Sequence, residues 1–209
     1  MRYSFYDFVV PKNNEDVFCS IAKKLGYSGI FFCYSFEEFS KRGKEIDKGI
    51  GVLKDKFELD IFSYVLCERE KNIEKAKKLN KNVLFLSNKE CDVRNLVQKF
   101  KPCVITNLEF QNHDFMHHRA GINQVIAISM RENNVSYGIS LNLIFSSKYK
   151  AEIIGRMKQN VRLAKKYSVP IKFFTLSKDP YKMKGPLDIV SFAVFLGINP
   201  GQAKRCLDK

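Results

Sequence analysis

Short apolar runs alternating with amphipathic segments constrain this chain more than any other feature. Residues 4–10, 29–33, 57–66, 83–86, 104–106, 137–141 and 171–175 are rich in Val, Ile, Phe and Tyr and read as strands. Between them, apolar residues recur at helical spacing: Val17, Ile21 and Leu25; Ile73, Ala76 and Leu79; Ile153, Ile154, Met157, Val161 and Ala164. Strands that are nearly continuously apolar, with a helix in each connection, indicate a parallel sheet covered on both faces. At about seven such units the pattern favours a TIM-like α/β barrel over an open doubly wound sheet. Neither a glycine-rich dinucleotide loop nor a P-loop is present to argue for the open sheet. The whole chain, 1–209, is read as one domain.

The ends of the helices are written in capping and breaking residues. Gly26 closes a helix over 14–25, and Ser35 with Glu38 forms a capping box that opens the next. Gly49-Ile50-Gly51 is expected to break that second helix. Ser87 and Glu90 repeat the box spacing ahead of a helix reaching about Lys99. A helix over 121–131 is expected to bury Ile122, Val125, Ile126 and Ser129. Pro186 and Pro200 each begin a helix, since proline suits the first helical turn, and Asp188 lies favourably near the start of the first of these.

Charge narrows the partners. The chain carries a formal +14, and residues 148–184 alone hold 11 Lys/Arg against two acids, Glu152 and Asp179. A solubility surplus would be spread more evenly, so this block points to a polyanion or an acidic membrane surface. The six cysteines show no C-x-x-C spacing and mostly sit in apolar runs, as reduced core thiols do. The N-terminus lacks the apolar core of a signal peptide, and no apolar run approaches the ~18 residues of a membrane span. A cytoplasmic protein without a membrane partner is expected.

Two stretches carry candidate chemistry. The first follows the strand 104–106, where barrels place function, and holds all three histidines: His113, His117 and His118, with Asp114 and Arg119. Three readings stand open there: an ordinary hydrogen-bonded loop, a metal site, or anion contact by His117, His118 and Arg119. A metal would need further ligands, and the first strand offers only Asp7. The second stretch is the basic block. Lys158, Arg162, Lys165 and Lys166 oppose the apolar stripe of their helix, and the loop after the next strand adds Lys178, Lys182 and Lys184 around Tyr181. Such a field, with few acids to neutralise it, suits nucleic-acid phosphate, and binding of that kind weakens steeply with salt. No paired carboxylates and no nucleophile–base set are visible that would build an independent active site.

Three patches carry a family resemblance: Arg119-Ala120-Gly121-Ile122-Asn123-Gln124-Val125; Arg156 with Asn160, Leu163-Ala164 and Tyr167; and Gly185-Pro186-Leu187-Asp188-Ile189 with Leu196-Gly197-Ile198. With Tyr6-Asp7 and Val10-Pro11 in the first strand, the chain resembles protein component 3 of archaeal ribonuclease P, homologue of the roughly thirty-kilodalton subunit of the eukaryotic enzyme. The match runs from about residue 2 to 207. It departs at Leu187, where relatives often carry Arg.

The resemblance implies a distorted TIM-type barrel related to PHP-type metal-dependent phosphoesterases, with the metal ligands largely lost. It implies a non-catalytic protein subunit of a tRNA-maturing endoribonuclease. The RNA of that enzyme performs a magnesium-dependent hydrolysis that removes the 5′ leader of precursor tRNA. The implied partners are that RNA, the precursor tRNA, component 2 and the other protein subunits, and no cofactor is held by this chain. The RNA-contact candidates are Arg119, His117, His118, Lys158, Arg162, Lys178, Lys182 and Lys184. Two alternatives stay in view: a metal-dependent PHP-type phosphoesterase using Asp7, His113, His117 and His118, and a scaffold whose main partner is protein.

Overall fold

The computed structural model describes residues 3–88, 91–110 and 121–208. Seven strands pair in chain order, all parallel: β1 (Tyr6–Val9), β2 (Gly29–Ser35), β3 (Asp60–Cys67), β4 (Asn82–Leu86), β5 (Val104–Thr106), β6 (Ser136–Ser140) and β7 (Ile171–Phe174). The two edges then meet. Val9 bridges Ser177 in parallel, the Val10 N–H donates to the Ser177 carbonyl at 2.8 Å, and the Leu176 N–H donates to the Phe8 carbonyl at 2.8 Å. The result is a distorted, closed seven-stranded barrel.

The connections are helical: α1 (Glu15–Leu25), α2 (Phe36–Phe57), α3 (Glu70–Lys78), α4 (Val93–Asn95) continued by a π-helical turn over Leu96–Phe100, α5 (Gln124–Glu132), α6 (Leu141–Ser146), α7 (Lys150–Lys166), α8 (Pro186–Phe195) and α9 (Pro200–Arg205). Alternation along the strands sorts the core into two layers. Tyr6, Phe8, Phe31, Cys33, Leu84, Val104 and Phe174 pack together without any helix residue, so they fill the barrel. Their strand neighbours Val9, Ile30, Phe32, Val83, Phe85, Ile105 and Phe173 join the helices in the outer layer.

Asp7 is the polar exception in this pattern. The bridge at Val9 and Ser177 puts it level with Thr175 across the barrel seam. Its Oδ1 accepts the Thr175 N–H at 2.7 Å and its Oδ2 the Thr175 hydroxyl at 2.6 Å, in full burial. Burial pushes its carboxyl up to about 7, while the Thr175 and Phe8 donors pull it back.

Several expectations change at the ends of elements. Gly49-Ile50-Gly51 does not break α2, which runs unbroken for 22 residues. Two glycines cost about 2 kcal/mol of helix propensity together. Both point to open space, while Phe39, Ile46 and Ile50 bury the inner stripe, so packing outweighs propensity. As a result β3 begins at Asp60 and Phe57 ends the helix. The helix before β5 is capped by Asp92, whose carboxylate accepts the N–H groups of Arg94 and Asn95, and not by Ser87; Glu90 lies outside the described residues. α5 starts at Gln124, with Asn123 as its cap, because Gly121 has φ +89° and cannot be helical. Its buried side is Ala127, Ser129 and Met130, leaving Val125 exposed, and Leu79 at the end of α3 is exposed too. Leu141 opens α6, a helix that periodicity does not announce.

Candidate nucleic-acid interface

α7 separates its residues as an amphipathic helix should. Ile153, Met157, Asn160, Val161 and Ala164 are buried, while Lys158, Arg162, Lys165 and Lys166 are exposed. Three of the four cations have intramolecular work, Lys166 lying 5.4 Å from the centroid of the Tyr167 ring. The Lys158 ammonium sits 4.0 Å from the centroid of the Phe195 ring, and Lys165 donates to the Gly197 carbonyl at 2.6 Å. The ion pairs among the described residues join Lys23 to Glu58, Arg42 to Glu45 and Lys81 to Asp47. None of them uses a cation of the 148–184 block, so its field is not internally neutralised.

The inner edge of α7 grips the chain after β5. Arg156 donates to the Glu109 carbonyl at 2.7 Å. The Asn160 amide donates to Glu109 Oε1 at 3.4 Å and to the Tyr137 hydroxyl at 3.3 Å, and Asn160 Oδ1 accepts the Ile122 N–H at 3.3 Å. Tyr137 in turn donates to Glu109 Oε1. Burial raises the Glu109 carboxyl, against the hydrogen bonds from Tyr137 and Asn160 and the charge of Arg156. Among the described residues its Oε2 finds no partner. Next to this network Gly121 closes on Leu108: a Cβ there would stand 2.3 Å from the Leu108 carbonyl oxygen. Residues 109 and 122 are thus fixed to one helix. His113, Asp114, His117, His118 and Arg119, which lie between them in sequence, fall outside the described residues.

The loop after β7 is rigidly built. Asp179 accepts the Tyr181 N–H at 3.1 Å and so caps a single 3-10 turn over Pro180–Lys182, whose Pro180 is buried. The Ser177 hydroxyl donates to the Asp179 carbonyl at 2.6 Å, and the Tyr27 hydroxyl donates to the Lys184 carbonyl at 2.7 Å. Met183 is buried, while Lys178, Tyr181, Lys182 and Lys184 face solvent. Lys182 and Lys184 also line one small pocket together with residues of α6. Gly185 then donates its N–H to Asp188 Oδ2 at 3.2 Å, which gives Asp188 the helix-start role expected of it; Leu187 beside it is exposed.

The structure therefore brings Lys182 and Lys184 together and sets Lys158 and Arg162 on one helix face. Asp7 does not fit the metal reading. Both its oxygens are taken by Thr175, and by alternation with Tyr6 and Phe8 it turns away from the barrel interior. Among the described residues no group of three or more His, Cys, Asp or Glu is placed to hold a metal ion. No helix among them is long and apolar enough to cross a membrane. What sequence reasoning missed is the network of Glu109, Tyr137 and Asn160, and the contribution of α6. The one available signal was the i, i+4 spacing of Arg156 and Asn160, which puts two polar groups on one side of a helix with a buried stripe.

The family model described as RNase P subunit p30 matches residues 4–209. Ribonuclease P protein component 3 of Methanosarcina mazei is 23% identical over 228 residues, covering 97% of this chain and 85% of that protein. The protein of the same name from Methanocaldococcus jannaschii is 22% identical over 205 residues, covering 94% and 84%. Among solved structures, a chain from the cryo-EM structure of archaeal ribonuclease P with mature tRNA superposes with a TM-score of 0.75 at 20% identity, covering 95% of this chain and 86% of that one. At that identity the superposition speaks for the barrel.

Proposed function

The chain belongs to the RNase P subunit p30 family, and from that membership we propose that it works as a protein subunit of ribonuclease P that binds and supports the catalytic RNA. In this reading the RNA, with its magnesium, cleaves the 5′ leader from precursor tRNA, and this chain supplies no chemistry of its own. Component 2 and the other protein subunits complete the particle. The observation that carries the reading is a family match over nearly the whole chain combined with a basic block none of whose cations forms an ion pair among the described residues.

Arg162, Lys158, Lys178, Lys182 and Lys184 are proposed to meet phosphates, with Arg119, His117 and His118 adding to them. Each phosphate met by Lys or Arg releases counterions, so the complex should be steeply salt-dependent. The six free cysteines support a reducing, cytoplasmic setting.

Reconstitution tests this. Precursor tRNA cleavage is measured with ribonuclease P RNA and the other subunits, with and without this chain. A clear gain in cleavage at limiting magnesium supports the reading. No gain, or phosphoester turnover by the isolated chain, overturns it.

A further inference from the structure

At the carboxyl ends of β6 and β7, where parallel barrels carry their sites, α6 and the β7–α8 loop enclose a pocket of about 130 Å³ lined by Asn142, Phe145, Ser177, Lys182 and Lys184 among others. No carboxylate lines it, and neither lysine has an acidic partner among the described residues. The walls are held from behind. The Asn142 N–H donates to the Thr175 carbonyl at 3.0 Å, Ser177 is tied to Asp179, and Tyr27 fixes the backbone of Lys184. Two solvent-facing lysines on a loop whose backbone is already braced give an anion two cations at little cost in loop ordering.

Size and rim say which anion. The pocket is close in size to a cavity of ~150 Å³ that takes one benzene molecule, enough for a phosphate group and too little for a nucleotide. Its rim is Phe145, which is 57% exposed although its α6 neighbours Leu141 and Ile144 are buried. The Lys184 ammonium stands 5.4 Å from the centroid of that ring. An exposed aromatic ring beside a phosphate-sized basic pocket is of use to a base whose own face is free. In duplex RNA the base faces are already stacked, whereas unpaired nucleotides offer them.

We propose that this pocket is a subsite for one unpaired RNA nucleotide, with the backbone phosphate between Lys182 and Lys184, hydrogen-bonded by the second N–H of the Asn142 amide, and the base stacked on Phe145. The inference rests on the RNA-binding reading above and names where and how a single strand is held.

The test uses the full chain with a single-stranded oligoribonucleotide and with a blunt RNA duplex of equal phosphate number, each titrated across salt concentrations. Phe145→Ala should weaken single-strand binding about tenfold with an unchanged salt slope and leave duplex binding as it was. Lys184→Ala should lower the single-strand salt slope by about 0.7. Phe145 is exposed, so an unchanged thermal midpoint is expected and serves as the folding control. If the wild-type chain binds RNA but both variants bind the single strand as it does, the pocket assignment is wrong and the RNA reading survives. If inorganic phosphate competes fully and Phe145→Ala is silent, the pocket is a simple anion site and the nucleotide assignment fails. If the wild-type chain binds neither RNA nor ribonuclease P RNA, the functional reading itself fails.

Discussion

Arg156 holds the backbone carbonyl of Glu109 at 2.7 Å, and so ties the end of the β5 connection to the middle of α7. One turn further along the same helix, Asn160 reaches both the Glu109 carboxylate and the Ile122 N–H. Glu109 and Ile122 are therefore both clamped by one helix edge, while the opposite edge of that helix carries Lys158 and Arg162. α7 is at once the clamp and part of the proposed RNA-facing surface. A change on its inner edge should be felt in RNA binding without touching a phosphate.

Glu109 is the acceptor on which this clamp turns. Glu109→Ala removes the acceptor of the Tyr137 hydroxyl and one acceptor of the Asn160 amide, both buried, and is expected to cost about 3 kcal/mol in urea unfolding. Glu109→Gln keeps an acceptor and removes a carboxylate that burial disfavours. It should stay within about 1 kcal/mol of wild type. Equal losses for the two variants would mean that the charge, and not the hydrogen bonding, matters.

Gly121 tests the same junction sterically. Its φ is +89°, and an added Cβ would meet the Leu108 carbonyl oxygen at 2.3 Å. Gly26 has a similar φ of +83° but nothing within 4 Å. Gly26→Ala should therefore cost only the left-handed backbone penalty, about 1–2 kcal/mol. Gly121→Ala should cost clearly more and lower RNA affinity through the displaced junction. Thermal or urea unfolding of the two variants side by side decides this.

The barrel was legible because its signal is repeated. Seven apolar runs with helices between them leave few other architectures, and the missing first-strand histidines agreed with the weak case for metal. The ends of elements were less legible, since they depend on which side of a helix a residue faces. Gly49 and Gly51 read as breakers until packing showed both pointing to open space. The Glu109 network was hidden for a different reason. Tyr137, Asn160 and Glu109 come from three separate elements, and a lone acid after a strand says nothing of the two donors that meet it. Phe145 was hidden because α6 is one short apolar stretch that continues β6 without a break in composition.

Asp7 gives a pH dependence with a definite sign. Its folded carboxyl lies near 7 against an ordinary value of 3.8, so between those values the folded state holds a proton that the unfolded chain has lost. That contribution is fully present below pH 3.8 and disappears as pH rises through 7. Asp7→Asn can still meet both Thr175 groups and does not titrate. The stability of wild type minus that of Asp7→Asn should therefore fall from pH 4 to pH 7, by at most about 4 kcal/mol, and be flat above. A difference that rises with pH would show that the seam prefers the charged carboxylate.

The continuity of α2 can be tested by removing its apparent breakers. Gly49 and Gly51 both lie inside the 22-residue helix with nothing near a new Cβ. Each Gly→Ala change should then stabilise the protein by about 0.5–1 kcal/mol, a rise of about 2–4 °C in Tm per kcal/mol for a chain of this size. Loss of stability in either variant would mean that the helix bends or breaks there.

Lys158 and Arg162 are one helical turn apart on the exposed face of α7, yet they stand in different situations. Lys158 lies 4.0 Å from the Phe195 ring centroid, a contact that an exposed site makes worth about 0.5–1 kcal/mol of stability. Arg162 is exposed on the same face, with no ring contact or ion pair among the described residues. If both reach phosphate, Lys158→Ala and Arg162→Ala should each lower the salt slope of duplex RNA binding by about one, and the double variant by about two. Only Lys158→Ala should also lower Tm. If Lys158 serves packing alone, its variant will lose stability with an unaltered slope, and the RNA-facing surface of α7 shrinks to Arg162 and its neighbours. If neither slope changes, RNA does not approach this face, and the β7–α8 loop is left to carry the contact.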